Sequence, residues 1–191
     1  MMNDQINFEE AIGYIFQDKK ILEIALTHKS SEKNNDGHIS NQRFEFLGDA
    51  VLELIITRYL FDNYPKMDEG DLTKIRSGAV NQNTLVEVAL EISIGDFLLM
   101  SKSEEATGGR SKKSILEDSL EALIAAIYLD GGIHKAQIFI ERYFIPKIAN
   151  LSVLPGHRDY KTRLQEIYAK KGKKLMYSDS SEGPDHKRIF Y

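Results

Sequence analysis

An all-α body followed by a small α+β appendage is the fold this sequence predicts, and three observations predict it. Apolar residues recur at helical spacing through most of the first 150 positions. Pro155-Gly156 then breaks the periodicity. Beyond the break, one short amphipathic helix gives way to two strand-like runs around a polar turn. The expected boundaries are 1–150 for the body, 151–158 for a linker and 159–191 for the appendage.

The elements follow in order. Phe8 to Gly13 and Lys19 to Leu26 have helical spacing, and Thr27-His28-Lys29-Ser30 closes the second. A polar loop runs to about Asn41. Gln42 to Tyr64 reads as one long apolar helix, stopped by Pro65. Asp71 is the expected N-cap of the next helix, with further helices over Leu72–Ser77 and Thr84–Ile92. Residues 101–111 read as a polar, Gly-rich loop. Ser114 is the expected cap of a helix running to Asp130-Gly131-Gly132, and Ile133 to Ile148 forms one more. In the appendage, Asp159 to Lys171 is a helix with Tyr160, Leu164, Ile167 and Tyr168 on one side. Lys174–Tyr177 and Lys187–Tyr191 read as strands around SSEGPDH. Two strands and a helix bury too little to be stable alone.

Composition narrows the function classes. There is no cysteine, so disulfides and thiolate metal sites are excluded, and a reducing cytoplasm is the expected compartment. No apolar run is expected to reach the length that spans a bilayer, and the acidic start MMNDQINFEEA lacks a signal-peptide layout, so no membrane partner is expected. The net charge of −4 is unevenly spread. From Gly156 to Tyr191 nine Lys/Arg face five Asp/Glu, whereas the preceding residues carry sixteen against twenty-four. An acidic body with a basic tail implies two parts with different partners.

The acidic part has a pattern. Glu45 and Asp49 lie in NQRFEFLGDAVLELII, and Asp118 and Glu121 in SILEDSLEALIAAIYLDGG, both otherwise apolar. At about 100° per residue, Gln42, Glu45 and Asp49 share one helix face, as do Asp118 and Glu121. Gly48 and Ala50 are small enough to admit a second backbone. Ionised groups in apolar surroundings need a counter-charge, and neither stretch is rich in Lys or Arg. Hard carboxylate oxygens suit Mg2+, and the chemistry that follows is phosphodiester hydrolysis. Buried salt bridges to Arg43 or Arg76 are the competing explanation. Glu53, Glu87 and Glu91 read as ordinary solvated acids.

Five ordered segments carry a resemblance: LTHKS at 26–30, FEFLGDAVLEL at 44–54, EGDLTKIRS at 69–77, GGRSKKSILEDSLEALIAAIYLDGG at 108–132 and DYKTRLQE at 159–166. Together they resemble the ribonuclease III family over nearly the whole chain. The resemblance implies an all-α endonuclease domain, a homodimer, and cleavage of double-stranded RNA with Mg2+, for which Mn2+ can substitute. The implied products are short duplexes with staggered ends, 5′ phosphates and 3′ hydroxyls, cut from ribosomal RNA precursors and structured messenger RNA. By resemblance, Glu45, Asp118 and Glu121 are metal ligands. Asp49 and Glu121 are catalytic, Asp49 by helping to hold metal and water. Glu69 lines the cleft. Phe46 inserts into the partner subunit, although an ordinary core Phe fits the sequence equally well. His28 reads as structural. The family usually has Glu where this chain has Gln42, which is uncharged and cannot act as a base.

From Asp159 on, the chain resembles the start of a double-stranded RNA-binding domain. Thr162, Gln165 and Glu166 match its helix contacts, and Gly183-Pro184-Asp185-His186 its minor-groove loop, with Pro184 and His186 as expected RNA contacts. Arg163 and Lys170 would add phosphate contacts. The family's third strand and second helix have no counterpart in this sequence, so a partial domain is expected. Two alternatives to a working nuclease stay open. One is a duplex-RNA-binding protein weakened at Gln42. The other is a structural helical dimer whose carboxylates pair with Arg.

Overall fold

A computed structural model describes residues 8–31, 40–152, 168, 172, 181–182 and 189–190. The chain divides into two compact units, Met1–Pro155 and Gly156–Tyr191.

The first unit is helical. Its elements are α1 (8–12), α2 (Lys19–Ala25), α3 (Gln42–Asn63), α4 (Glu69–Ala79), α5 (Gln82–Glu91), α6 (Lys102–Ala106) and α7 (Lys113–Ser152), with single 3-10 turns at Ile94–Phe97 and Gly109–Ser111. Helix α7 is the axis of the unit, and α2, α3, α4 and α5 pack around it. Its residues Leu120, Leu123, Ile124 and Ile127 are wholly buried. Helix α3 meets it with a row spaced by four, Gly48, Leu52, Ile56 and Leu60, flanked by Val51 and Ile55. That row is one face of a helix, and its burial is the main apolar gain in joining the two.

Helix starts are fixed by side-chain caps. The carboxylate of Asp18 accepts from Lys20 N–H at 2.9 Å, Asn81 Oδ1 from Thr84 N–H at 3.0 Å, and Ser101 Oγ from Glu104 N–H at 3.2 Å. The α4 cap is Asp68, not Asp71 as the sequence suggested; Asp68 accepts the Asp71 N–H at 2.9 Å, and the helix begins at Glu69. Likewise α7 begins one residue before Ser114. Residues 101–111 are not an open loop. The Arg110 guanidinium binds the carbonyls of Gly95, Asp96 and Leu98 and the carboxylate of Glu105, which folds the segment into α6 and a 3-10 turn.

The break expected at Gly131-Gly132 is present inside α7, where Gly132 has φ 78° and ψ 176°. An L side chain rarely adopts that conformation. Just before it, Asp130 accepts from Tyr14 Oη at 2.7 Å and from the Gln17 and Asp18 N–H groups, tying the kink to the N-terminal segment. Glu9, 2% exposed, accepts from Phe16 N–H and from Lys19 Nζ. Helix α7 continues to Ser152, into the stretch expected as linker. By length and composition Lys113–Asn150 is apolar enough to cross a membrane, contrary to the sequence expectation. The central helix of a helical core has the same composition; Leu120, Leu123, Ile124 and Ile127 of this one are buried, whereas Leu129, Ile133 and Ile138 are exposed.

In the second unit, Ser181–Glu182 pairs antiparallel with Ile189–Phe190, in the register Ser181↔Phe190 and Glu182↔Ile189. The first strand thus includes residues that the sequence assigned to the turn. The expected helix over 159–171 (Tyr168 apart) and the strand at 174–177 lie outside the described residues.

Candidate active site

Gly48 is where α3 and α7 touch. A Cβ there would collide with the carbonyl oxygen of Glu121, so only glycine permits the approach. Glu45 and Asp49 lie one turn before and one residue after Gly48, and Asp118 one turn before Glu121. The close contact therefore draws carboxylates from two helices into one neighbourhood. Ala50, the other small residue, faces solvent and plays no part.

The electrostatics reflect that proximity. Burial pushes the Glu121 carboxyl up to about 8, and the charges of Asp49, Glu117, Glu45 and Asp118 all push the same way. Burial likewise raises Glu45, with Asp118, Glu117 and Asp49 adding to it and Lys29 opposing. Asp118 is raised by burial and by Glu117, against Lys29. The four are less enclosed than the apolar sequence around them suggested: Glu45, Asp118 and Glu121 are half-buried and Asp49 is exposed. Among the described residues, neither Arg43 nor Arg76 pairs with any of them; Arg76 Nη1 donates instead to Thr57 Oγ1 at 3.2 Å. The salt-bridge explanation loses its partners.

Among the described residues, no three Asp, Glu or His side chains converge closely enough to enclose a metal ion. Mutually repelling carboxylates without a cation are expected to splay. The donor set nevertheless fits a hard divalent ion. It supplies only carboxylate oxygens, partly withdrawn from water and without an ion-pair partner among the described residues. Among the described residues, the buried polar atoms without a hydrogen-bond partner, Asn41 Nδ2 and Ser119 Oγ, belong to the same two segments.

The remaining expected site residues fall in different places. Gln42 is exposed at the first position of α3. Glu69 is exposed on the first turn of α4, and none of the raised carboxylates owes its shift to it. Phe46 is 83% exposed, which removes the core-Phe alternative. His28 is a fixed, neutral group: it is 5% exposed, burial lowers its pKa, and Nδ1 accepts the Ser30 N–H at 3.2 Å. Thr162, Gln165, Glu166, Pro184 and His186 lie outside the described residues.

Two contributors went unseen in the sequence. Glu117 acts on Glu45, Asp118 and Glu121, while Gln82 Nε2 donates to its Oε2 at 2.6 Å. Lys29 comes from a third segment, remote in sequence from both helices. Only its place inside LTHKS hinted at a role.

The family model described as Ribonuclease-III-like matches residues 18–148. Ribonuclease 3 of Clostridium perfringens is 46% identical over 97% of this chain and 79% of its own length. The chain belongs to the ribonuclease III family. Its fold agrees: the crystal structure of the nuclease domain of ribonuclease III from Campylobacter jejuni superposes with a TM-score of 0.68 at 44% identity, over 73% of this chain and 92% of that one. A second structure of the same nuclease domain, described for flexibility in the region involved in dimer formation, gives 0.67 at 45% identity, over 72% of this chain and 96% of that one. This member of the ribonuclease III family is thus an endoribonuclease that acts on RNA.

Proposed function

We propose that this chain hydrolyses both strands of double-stranded RNA with Mg2+, leaving 5′ phosphates and 3′ hydroxyls on staggered ends. One observation carries the reading: Gly48 seats α3 on the backbone of Glu121, and among the described residues none of the carboxylates so gathered forms an ion pair. Glu45, Asp118 and Glu121 would hold the ion, and Asp49 would help to position it and the attacking water. When bound, the dication supplies an acidified water and neutralises charge on the leaving oxygen. The protein's own work is to keep the acids close and to hold a proton on Glu121 until the site is filled.

The substrate reading rests on shape. Side chains cannot enter the deep groove of A-form RNA, so duplex geometry would guide cutting more than sequence does. Phe46 on the outer side of α3 suits a homodimer contact. The basic 159–191 segment suits the opening part of a double-stranded RNA-binding domain, with Thr162, Gln165, Glu166, Pro184 and His186 toward the grooves. Ribosomal RNA precursors and structured messenger RNA in the cytoplasm are the expected targets.

Gln42 favours a second reading, a protein that binds duplexes and cuts them poorly. A long RNA duplex incubated with Mg2+ separates the two. The nuclease reading expects discrete short duplexes from the chain as it stands, none with EDTA, and none from Asp118→Asn. Binding without products, with cutting restored by Gln42→Glu, would favour the weakened site.

A further inference from the structure

The polar run Asn81-Gln82-Asn83 opens α5, and its side chains divide the work. Asn81 caps the helix through Oδ1 and donates from Nδ2 to the Gly78 carbonyl at 2.8 Å. Thr84 Oγ1 donates to the same carbonyl at 2.9 Å. Leu85, Val88 and Ala89 are wholly buried, so the start of α5 is held by polar contacts on one side and by the core on the other. From this fixed start two side chains reach α7. Gln82 Nε2 donates to Glu117 Oε2 at 2.6 Å, and Asn83 Oδ1 accepts from Lys113 Nζ at 3.3 Å.

Glu117 is half-buried, directly before Asp118 and one helical turn before Glu121. Side chains four apart on a helix are neighbours, with about 5–6 Å between their Cβ atoms, so a carboxylate at 117 is within reach of the one at 121. Lys113 stands one turn to the other side of Glu117 but is turned to Asn83, and among the described residues Glu117 forms no ion pair. Gln82 occupies one oxygen of Glu117 and leaves its charge intact, because an amide is neutral. Held toward α5, Glu117 does not complete with Asp118 and Glu121 a group that could enclose an ion, and among the described residues no such group forms.

We propose that Gln82 is a positioning residue of the nuclease site: its hold on Glu117 keeps a further α7 carboxylate off the ion, and so keeps the site matched to Mg2+ rather than Ca2+. The inference rests on the divalent-metal reading of the site. Mg2+ takes few carboxylates and keeps several waters in a strict octahedron, whereas Ca2+ accepts about six to eight oxygens in looser geometry. Releasing Glu117 adds an oxygen donor that the larger ion accommodates and the smaller one does not.

The test uses the whole chain, with Mg2+ alone and Ca2+ alone as probes in calorimetric titration and thermal unfolding in EDTA alongside. Gln82→Ala is expected to bind Ca2+ about tenfold more tightly and to change Mg2+ affinity by less than about twofold. Adding Glu117→Gln to it should abolish the Ca2+ gain, and Glu117→Gln alone should leave the Ca2+-to-Mg2+ affinity ratio at the parent value. A lower melting temperature of Gln82→Ala with an unchanged ratio would overturn the proposal, leaving a plain tie between α5 and α7. Equal gains for both ions would overturn it too, since charge alone would then explain them. So would a Ca2+ gain that survives in the double variant, because it would not pass through Glu117. If the unaltered chain binds neither ion, the metal reading itself falls, and this inference with it.

Discussion

Glu121 sits where several effects add. Its backbone is the floor on which Gly48 rests, and its carboxyl is raised to about 8 by burial and by its acidic neighbours. The unfolded chain releases this proton near the ordinary value of 4.5. Between that pH and about 8 the folded protein therefore holds a proton that the unfolded chain has lost, and stability falls as pH rises across the window. Unfolding midpoints in EDTA should drop from pH 5 to pH 8, and Glu121→Gln should flatten the trend. A midpoint that rises over that range in the unaltered chain would contradict the assignment. Gly48→Ala has a different origin: the new methyl group has no room against the Glu121 carbonyl. It should cost about 1–3 kcal/mol in denaturant unfolding and lower cleavage further by spreading the carboxylates. A variant that is as stable and as active as the parent would show that the helices do not meet there.

At the scale of elements, local chemistry was easier to read than long-range partnership. The face shared by Glu45 and Asp49, the stop at Pro65 and the break at Gly132 all follow from residues within a turn or two, and each is present. Asp71 misled because both it and Asp68 are capping types; the choice depended on which oxygen reaches the third N–H. Asp68→Ala should cost about 1 kcal/mol in an unfolding titration, and Asp71→Ala less than about half that. Equal losses would put the cap elsewhere. The 101–111 segment looked like a loop because its order comes from one guanidinium reaching four acceptors, which no periodicity records. Lys29 and Glu117 were missed for the same reason. Their effect on the site exists only once separate segments are folded together.

For the molecule as a whole, the outer face of α3 is the surface that bears on assembly. Phe46 and Phe61 are 83% and 70% exposed, and Leu54 on the same helix is 61% exposed. Aromatic residues left in water at this level mark association surfaces more often than decoration. If α3 carries the proposed homodimer contact, the chain sediments as a dimer at micromolar concentration, and Phe46→Glu should make it sediment as a monomer while leaving the helical circular dichroism unchanged. Unaltered sedimentation would remove Phe46 from the interface. The central claim concerns the acids behind that face, which are to release a proton and accept a dication. Calorimetric titration of Mg2+ at pH 7, repeated in two buffers of different ionisation enthalpy, measures both events together. The account predicts saturable binding with release of up to about one proton by the unaltered chain, and loss of that release in Glu121→Gln. Binding with no proton release, or the same release from Glu121→Gln, would contradict it.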